Sequence, residues 1–265
     1  MRYFRLWRQF LVTAFVREAE YRFNFVVSVL EGTAQLVLAV LTTLLLYRFT
    51  DEIRGWSRGD LIMLVGIYRV VDSLIAMQIA PNLTAISGYI RTGEMDFLLL
   101  RPVSSQFLVS LRKLSLPEAA NALIGLLLAI YARNVLGVHA VAHQTVPGIA
   151  ATVVFVVTGT IMLYAVWFCI VTSSFWLVQL STIDTLFYSL FDTARYPVSF
   201  FGGVLRTFLT WVFPVAFATT FSTQALAGET NIRLVLISIV LAGLALTVTR
   251  LFWNYAVRHY SSASS

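Results

Sequence analysis

Long, uninterrupted apolar stretches constrain the fold of this chain more than any other feature. A membrane-spanning helix needs about 20 mostly apolar residues, at a rise of about 1.5 Å each, to cross a hydrocarbon core of about 30 Å. These stretches do not alternate with a period of two, so they predict helices and not barrel strands. The six predicted spans are residues 23–47, 61–80, 117–136, 148–176, 198–221 and 234–253.

Composition excludes a soluble globular protein. Apolar residues make up 58% of the chain and charged residues 12%, and the mean hydropathy is +0.81. We therefore predict an all-α, polytopic membrane protein with six transmembrane helices in a single transmembrane domain, residues 23–260. Residues 1–22 are predicted to form a cytosolic interfacial helix, and residues 261–265 a polar tail.

The positions of the basic residues predict the orientation in the membrane. With the N-terminus in the cytosol, cytosolic segments, in which we place Arg195, hold about twice as many arginine and lysine residues as the opposite side. We therefore expect both termini in the cytosol. The net charge of +6 then follows from loops that face anionic lipid headgroups, and it requires no nucleic-acid partner.

The N-terminal segment has the pattern of an amphipathic helix that lies on the membrane surface. At 100° per residue, polar and basic residues fall on one side and a narrow apolar stripe on the other. The helix is either a basic anchor on the headgroups or an elbow that packs against neighbouring spans. The residues of its apolar stripe are Phe4, Trp7, Leu11 and Phe15.

Ionisable residues within the predicted spans are candidates for function. A lone charge near the bilayer centre costs roughly 2.5 to 3.5 kcal/mol on insertion scales, so such residues usually face protein or a water-filled cavity. Arg69 and Asp72 are three residues apart and share a helix face, which permits a pair that only neutralises itself. In the alternative interpretation both residues line a transport path with Glu31, which has Arg69 or Arg206 as its candidate partner.

A polar loop, residues 88–115, separates the second and third spans. Part of it has two acids near its start, four consecutive apolar residues and an arginine at its end, which favours a short helix. Each large apolar side chain gains roughly 1.5 to 3 kcal/mol on burial, so the segment is either a solvated loop or an element that docks into a groove. Its candidate docking residues are Arg91, Gly93, Glu94, Asp96, Phe97, Leu98, Leu99, Leu100, Arg101 and Pro102.

The segment 192–228 is rich in residues that break helices. Pro197, the pair Gly202-Gly203 and Pro214 interrupt an otherwise apolar stretch. A broken helix is tolerated in a membrane where neighbouring protein satisfies the freed backbone groups. The segment is therefore either one span kinked at Pro214, or a span followed by a re-entrant outer hairpin.

Three parts of the sequence together resemble the membrane subunits of type-2 ABC transporters, and in particular a bacterial branch of exporter permeases. They are Ile90-Arg-Thr-Gly-Glu-Met-Asp-Phe-Leu-Leu-Leu-Arg-Pro102, Ala194-Arg-Tyr-Pro197 and Phe213-Pro-Val-Ala-Phe217. The resemblance covers nearly the whole chain. It implies a multi-pass protein of the bacterial inner membrane with six spans, an N-terminal elbow helix and cytosolic ends.

The resemblance also implies a division of labour between subunits. Two permeases, identical or different, would pair to enclose a translocation path, with multidrug efflux as one expected use. Each would dock a cytosolic ATPase through residues 90–102, the coupling helix, and the ATPase would bind ATP and magnesium. The permease itself would carry no cofactor and no catalytic residue.

The lack of a nucleotide-binding motif agrees with a permease that depends on a separate ATPase. The only lysine, Lys113, has neither a glycine-rich loop before it nor a hydroxyl residue after it, so it does not form a nucleotide-binding P-loop. No metal site is expected either, because His139 and His143 have no neighbouring carboxylate.

An ion- or proton-coupled secondary transporter is the alternative function. It would use Glu31, Arg69 and Asp72 as a charge relay within the membrane. Such transporters typically contain an internal repeat with interrupted helices in corresponding positions, and we find no convincing repeat between the two halves of the chain.

Overall fold

A computed structural model describes residues 2–20, 22–136, 145–176 and 183–260. Within these ranges the chain is helical apart from loops and one short hairpin with strands β1 (Glu52–Ile53) and β2 (Trp56–Ser57). The predicted tail, 261–265, lies outside the described residues. The α-helices are α1 Arg2–Glu20, α2 Arg22–Leu46, α3 Arg58–Leu74, α4 Ala80–Thr92, α5 Glu94–Leu99, α6 Ser105–Leu111, α7 Pro117–Val135, α8 Thr145–Thr172, α9 Ile183–Phe191, α10 Gly203–Trp211, α11 Val215–Ala218, α12 Thr220–Leu226 and α13 Ile232–Arg258.

The prediction of an all-α, polytopic membrane protein is confirmed. Among the described residues, four helical segments are long and apolar enough to cross a membrane. Helix α7 corresponds to the third predicted span but falls short of that criterion, so the number six stays a prediction. The four segments are Arg22–Leu46, Arg58–Thr92, Val146–Phe175 and Ile232–Arg258.

The second of these segments is longer than the predicted span 61–80. It begins sharply at a capping box, in which the Ser57 hydroxyl accepts from the backbone N–H of Asp60 and the Asp60 carboxylate accepts from the backbone N–H of Ser57. A π-helix, Ile75–Ile79, joins α3 to α4 without ending the segment. The predicted loop 88–115 therefore starts inside α4, which continues to Thr92.

Helix α3 occupies the centre of the bundle. Its residues are mostly buried and it packs along the whole of α7, whereas α2 buries only one narrow stripe of Gly32, Leu36 and Thr43. The remaining face of α2 is apolar and exposed, as expected for a helix that faces lipid.

Two glycines set the distance between α3 and α7. A Cβ atom on Gly66 would lie 2.7 Å from the backbone nitrogen of Ala129 and 2.8 Å from the carbonyl oxygen of Gly125. Small residues at a helix interface allow the two backbones to approach closely, which is a major source of association energy in a membrane.

We expect Gly66→Ala to destabilise the protein by about 1 to 3 kcal/mol, because the added methyl group overlaps rigid backbone atoms. Gly243→Ala in α13 is the matched control, since nothing lies within 4 Å of the added atom. That change removes a glycine from a helix interior and should stabilise by about 0.5 to 1 kcal/mol. Unfolding in mixed detergent measures both, and equal stabilities for the two variants would contradict the close packing.

The segment 198–229 does not cross the bundle, so the predicted fifth span, 198–221, is placed too late in the chain. The crossing is the preceding stretch, 183–198, which passes from α8 along the middle of α3 to the hairpin. The start of the segment 198–229 lies against the hairpin, where Trp56 Nε1 donates to Ser199 Oγ at 3.0 Å. Its end returns to the same place, because Glu229 and Trp56 line one small cleft. A segment that starts and ends at one side of the bundle is re-entrant.

Helix-breaking residues explain this path. The axes of α10 and of the α11–α12 pair differ by 71° across the break that contains Pro214. The returning limb is buried against α8, where a Cβ atom on Gly159 would lie 2.5 Å from Cα of Ala218. Thr220 Oγ1 accepts from the backbone N–H of Val198 at 3.2 Å and so joins the two limbs. Neighbouring protein thus satisfies backbone groups that the breaks leave free.

Candidate functional site

The predicted docking segment folds into a short helix, α5, at the end of α4. Gly93 ends α4 with φ of 76°, in the left-handed region, although its Cβ position is open space. Glycine is therefore favoured there by backbone conformation and not by crowding. Glu94 and Asp96 lie in the first turn of α5, where they complement the helix dipole.

The four apolar residues 97–100 do not form a single exposed knob. Met95 and Leu98 are buried in the core, at 0% and 4% exposure, and Leu99 packs partly against it. Phe97 and Leu100 are 72% and 81% exposed. Helix α5 therefore has one face in the bundle and one apolar face that points away from it.

Charged residues surround the exposed face of α5. Arg91, Glu94, Arg101 and Pro102 are exposed, and Asp96 is half-buried. We call the surface formed by Glu94, Phe97, Leu100 and Arg101 the α5 face. Its apolar centre and charged rim are typical of a protein–protein contact.

Hydrogen bonds tie the far end of the loop to the long α3–α4 segment. Asn82 Nδ2 donates to the carbonyl oxygen of Lys113 at 2.7 Å, and the backbone N–H of Lys113 donates to Asn82 Oδ1 at 2.8 Å. The backbone N–H of Ser115 donates to the carbonyl of Met77, within the π-helix, at 2.9 Å. Gln78 Nε2 also donates to the carbonyl of Lys113, at 3.2 Å. Sequence reasoning missed Asn82 and Gln78, although two amide side chains at the end of an apolar span are a signal that could have identified them.

Two further contacts fix α6 and α1 to the same region. Trp253 Nε1 on α13 donates to Ser105 Oγ at 3.0 Å. On α1, the Tyr3 ring packs edge-on against Phe107 at 4.9 Å, and Arg17 Nη2 donates to the carbonyl of Leu114 at 2.7 Å. Displacement of α5 and α6 would therefore be transmitted to α4, α13 and α1.

The intramembrane charges are only partly brought together. Arg69 Nη1 lies 2.7 Å from Asp72 Oδ2, and their side chains are 8% and 18% exposed. Glu31 lies on the exposed side of α2, where Gln35 Nε2 is 3.5 Å from its Oε1, and Arg206 is exposed on α10. Among the described residues, neither Arg69 nor Arg206 forms an ion pair with Glu31.

Arg195 is not in a cytosolic loop, which corrects the count used for orientation. Its guanidinium lies 5.1 Å from the ring centroid of Tyr68, the residue before Arg69 in α3, and its Nη2 is 3.0 Å from Asp192 Oδ1. Tyr68 donates its hydroxyl proton to the same carboxylate at 3.0 Å. Without Arg195, the cytosolic segments still hold more arginine and lysine residues than the opposite side, so the predicted orientation is unchanged.

Of the two prolines predicted for an outer hairpin, Pro197 lies just before the re-entrant segment and Pro214 lies within it. Pro197 precedes a short 3₁₀-helix, Val198–Phe200, and Pro214 lies in the break between α10 and α11. His139 and His143 lie outside the described residues, so the expected absence of a metal site stays an expectation.

The fold defines a class: a multi-pass membrane protein whose helical bundle carries a short helix, α5, with an exposed apolar face. The sequence model of the ABC-2 family transporter proteins matches residues 33–264, and the chain belongs to this family. Membrane subunits of the family form the transmembrane component, generally without catalysis of their own, and work with ATPase partners. No curated protein and no solved structure matches the chain.

Proposed function

We propose that this protein is the permease of a bacterial ATP-driven exporter. It lies in the inner membrane with both termini in the cytosol and encloses the translocation path together with a second permease, identical or related. A cytosolic ATPase, which binds ATP and magnesium, docks on the α5 face. Outward transport of drug-like amphiphiles is the proposed use, and the aromatic content of 14% suits them.

The observation that carries the proposal is the two-sided burial of α5. Phe97 and Leu100 are exposed, whereas Met95 and Leu98, on the same two turns, are in the core. A groove that buried the two exposed side chains would gain roughly 1.5 to 3 kcal/mol from each. Because the opposite face is fixed to the bundle, movement of the docked ATPase would move the bundle and not only the loop.

The flanking charges support a polar rim around that contact. Arg91, Glu94 and Arg101 are exposed around α5, so the partner groove should present charges of both signs. Rim charges of this kind chiefly set the rate and specificity of association. The proposal therefore assigns affinity to Phe97 and Leu100 and partner choice to the charged residues.

Co-purification from native membranes tests the proposal. The tagged protein is extracted in a mild detergent, transferred to nanodiscs and analysed for bound subunits and for ATP hydrolysis. We expect an ATPase in one-to-one ratio with the permease, and vanadate-sensitive hydrolysis. Transport that continues in vesicles without ATP, driven by a proton gradient, and a preparation free of any ATPase would together overturn it.

A further inference from the structure

A large cavity opens between α1, α6, α8 and α13, on the side of the bundle that carries α5. Its volume is about 700 Å³, within the range of roughly 300 to 1,000 Å³ that holds drug-sized ligands. Part of its wall is apolar, formed by Ile79 of the π-helix, Leu111 of α6 and Ile161 of α8. Neither the α5 face nor the buried Arg69–Asp72 pair lines this cavity.

Polar groups converge on the same cavity. Tyr164 and Ser110 share a hydrogen bond of 2.8 Å between their hydroxyl oxygens, and the Gln106 side chain lies beside them in the wall. Arg250 of α13 also lines the cavity. Among the described lining residues, Arg250 is the one that carries a full charge, and none is a carboxylate.

Arg250 lies well inside helix α13, so its charge bears on which ligand the cavity can bind. It lies eight residues before Arg258, the last residue of α13, or about 12 Å along the axis from that end. An arginine at this depth is costly unless its charge is neutralised or reaches water. Arg250 is exposed, and within the described part of the chain it forms no ion pair.

We propose that this cavity binds an anionic amphiphile, a molecule with one phosphate or carboxylate head and an acyl chain, which enters from the leaflet on the α5 side. The head contacts Arg250 and the chain lies along Ile79 and Ile161. Other classes of ligand fit less well. A cationic amphiphile would be repelled by Arg250, and a neutral one would leave Arg250 without a counter-ion. A free anion without an acyl chain would leave the apolar wall uncovered. The inference does not rest on the proposed docking of an ATPase.

Lipid retention measures this binding directly. The protein is reconstituted in nanodiscs that contain equal amounts of phosphatidylglycerol and phosphatidylcholine, released into detergent and analysed by native mass spectrometry. We expect wild type to retain phosphatidylglycerol in preference to phosphatidylcholine. Arg250→Gln should retain about tenfold less, because a charge-assisted hydrogen bond is lost.

Two matched variants separate a binding role from a general effect of charge. Arg250→Lys keeps the positive charge and should keep the preference, and Arg258→Gln removes a charge from the same helix outside the cavity and should change nothing. Monodisperse elution of all variants shows that they fold. Equal retention by wild type and Arg250→Gln, no preference between the lipids, or displacement of the lipid by inorganic phosphate alone at millimolar concentration would overturn the proposal.

Discussion

Phe97→Asp is expected to abolish ATP-driven transport while the permease still folds and inserts. The side chain is 72% exposed, so its replacement leaves the bundle intact. In the docked complex, however, an aspartate would place a charge in a groove shaped for an aromatic ring. Loss of the buried ring alone removes roughly 1.5 to 3 kcal/mol of binding free energy. The unpaired charge adds to that loss, so affinity for the ATPase should fall at least about 100-fold.

Binding of the purified ATPase to the permease in nanodiscs measures the effect. Phe49→Asp is the matched control, since Phe49 is 85% exposed and precedes the β1–β2 hairpin, away from α5. This control should bind the ATPase as wild type does. Unchanged affinity of Phe97→Asp would show that the α5 face is not the docking surface.

Leu99 is a poorer probe of the same contact. The sequence-based docking set included all four residues 97–100, but Leu99 packs partly against the core and Leu98 is buried. An aspartate at either position would disturb folding as well as docking. Only Phe97 and Leu100 test the contact separately from the fold.

Local sequence signals predicted the existence of α5 but not its two faces. Gly93 and the following acids mark the helix start, and this part of the prediction depends on backbone chemistry alone. The sequence-based docking set includes all four apolar residues 97–100 because they are adjacent in the chain. Helical periodicity would have separated Met95 and Leu98 from Phe97 and Leu100, since residues three apart share a face.

The re-entrant segment shows a different limit of sequence reasoning. Gly202-Gly203 and Pro214 correctly indicated breaks, because proline and glycine act locally. Which end of the bundle each limb reaches depends on contacts with Trp56 and α8, more than 40 residues away in the chain. The same applies to Arg195, whose place beside Tyr68 is set by tertiary packing and has no local signal.

Asp72→Leu is expected to cause a large loss of stability. Its carboxylate lies 2.7 Å from the Arg69 guanidinium, and the Arg69 side chain is only 8% exposed. Removing one partner leaves a buried charge without compensation, which typically costs about 3 to 5 kcal/mol. The double variant Arg69→Met/Asp72→Leu removes both charges and should regain most of that loss.

Unfolding in mixed detergent measures these variants against an exposed pair. Arg195→Gln breaks the Arg195–Asp192 pair, whose side chains are 42% and 53% exposed, together with the contact between Arg195 and the Tyr68 ring, and should cost about 1 to 2 kcal/mol. ATP-driven transport by the double variant then decides between two roles for the buried pair. If transport persists, Arg69 and Asp72 neutralise each other within the bundle, whereas a stable double variant without transport would make them part of the path, as the charge-relay alternative requires.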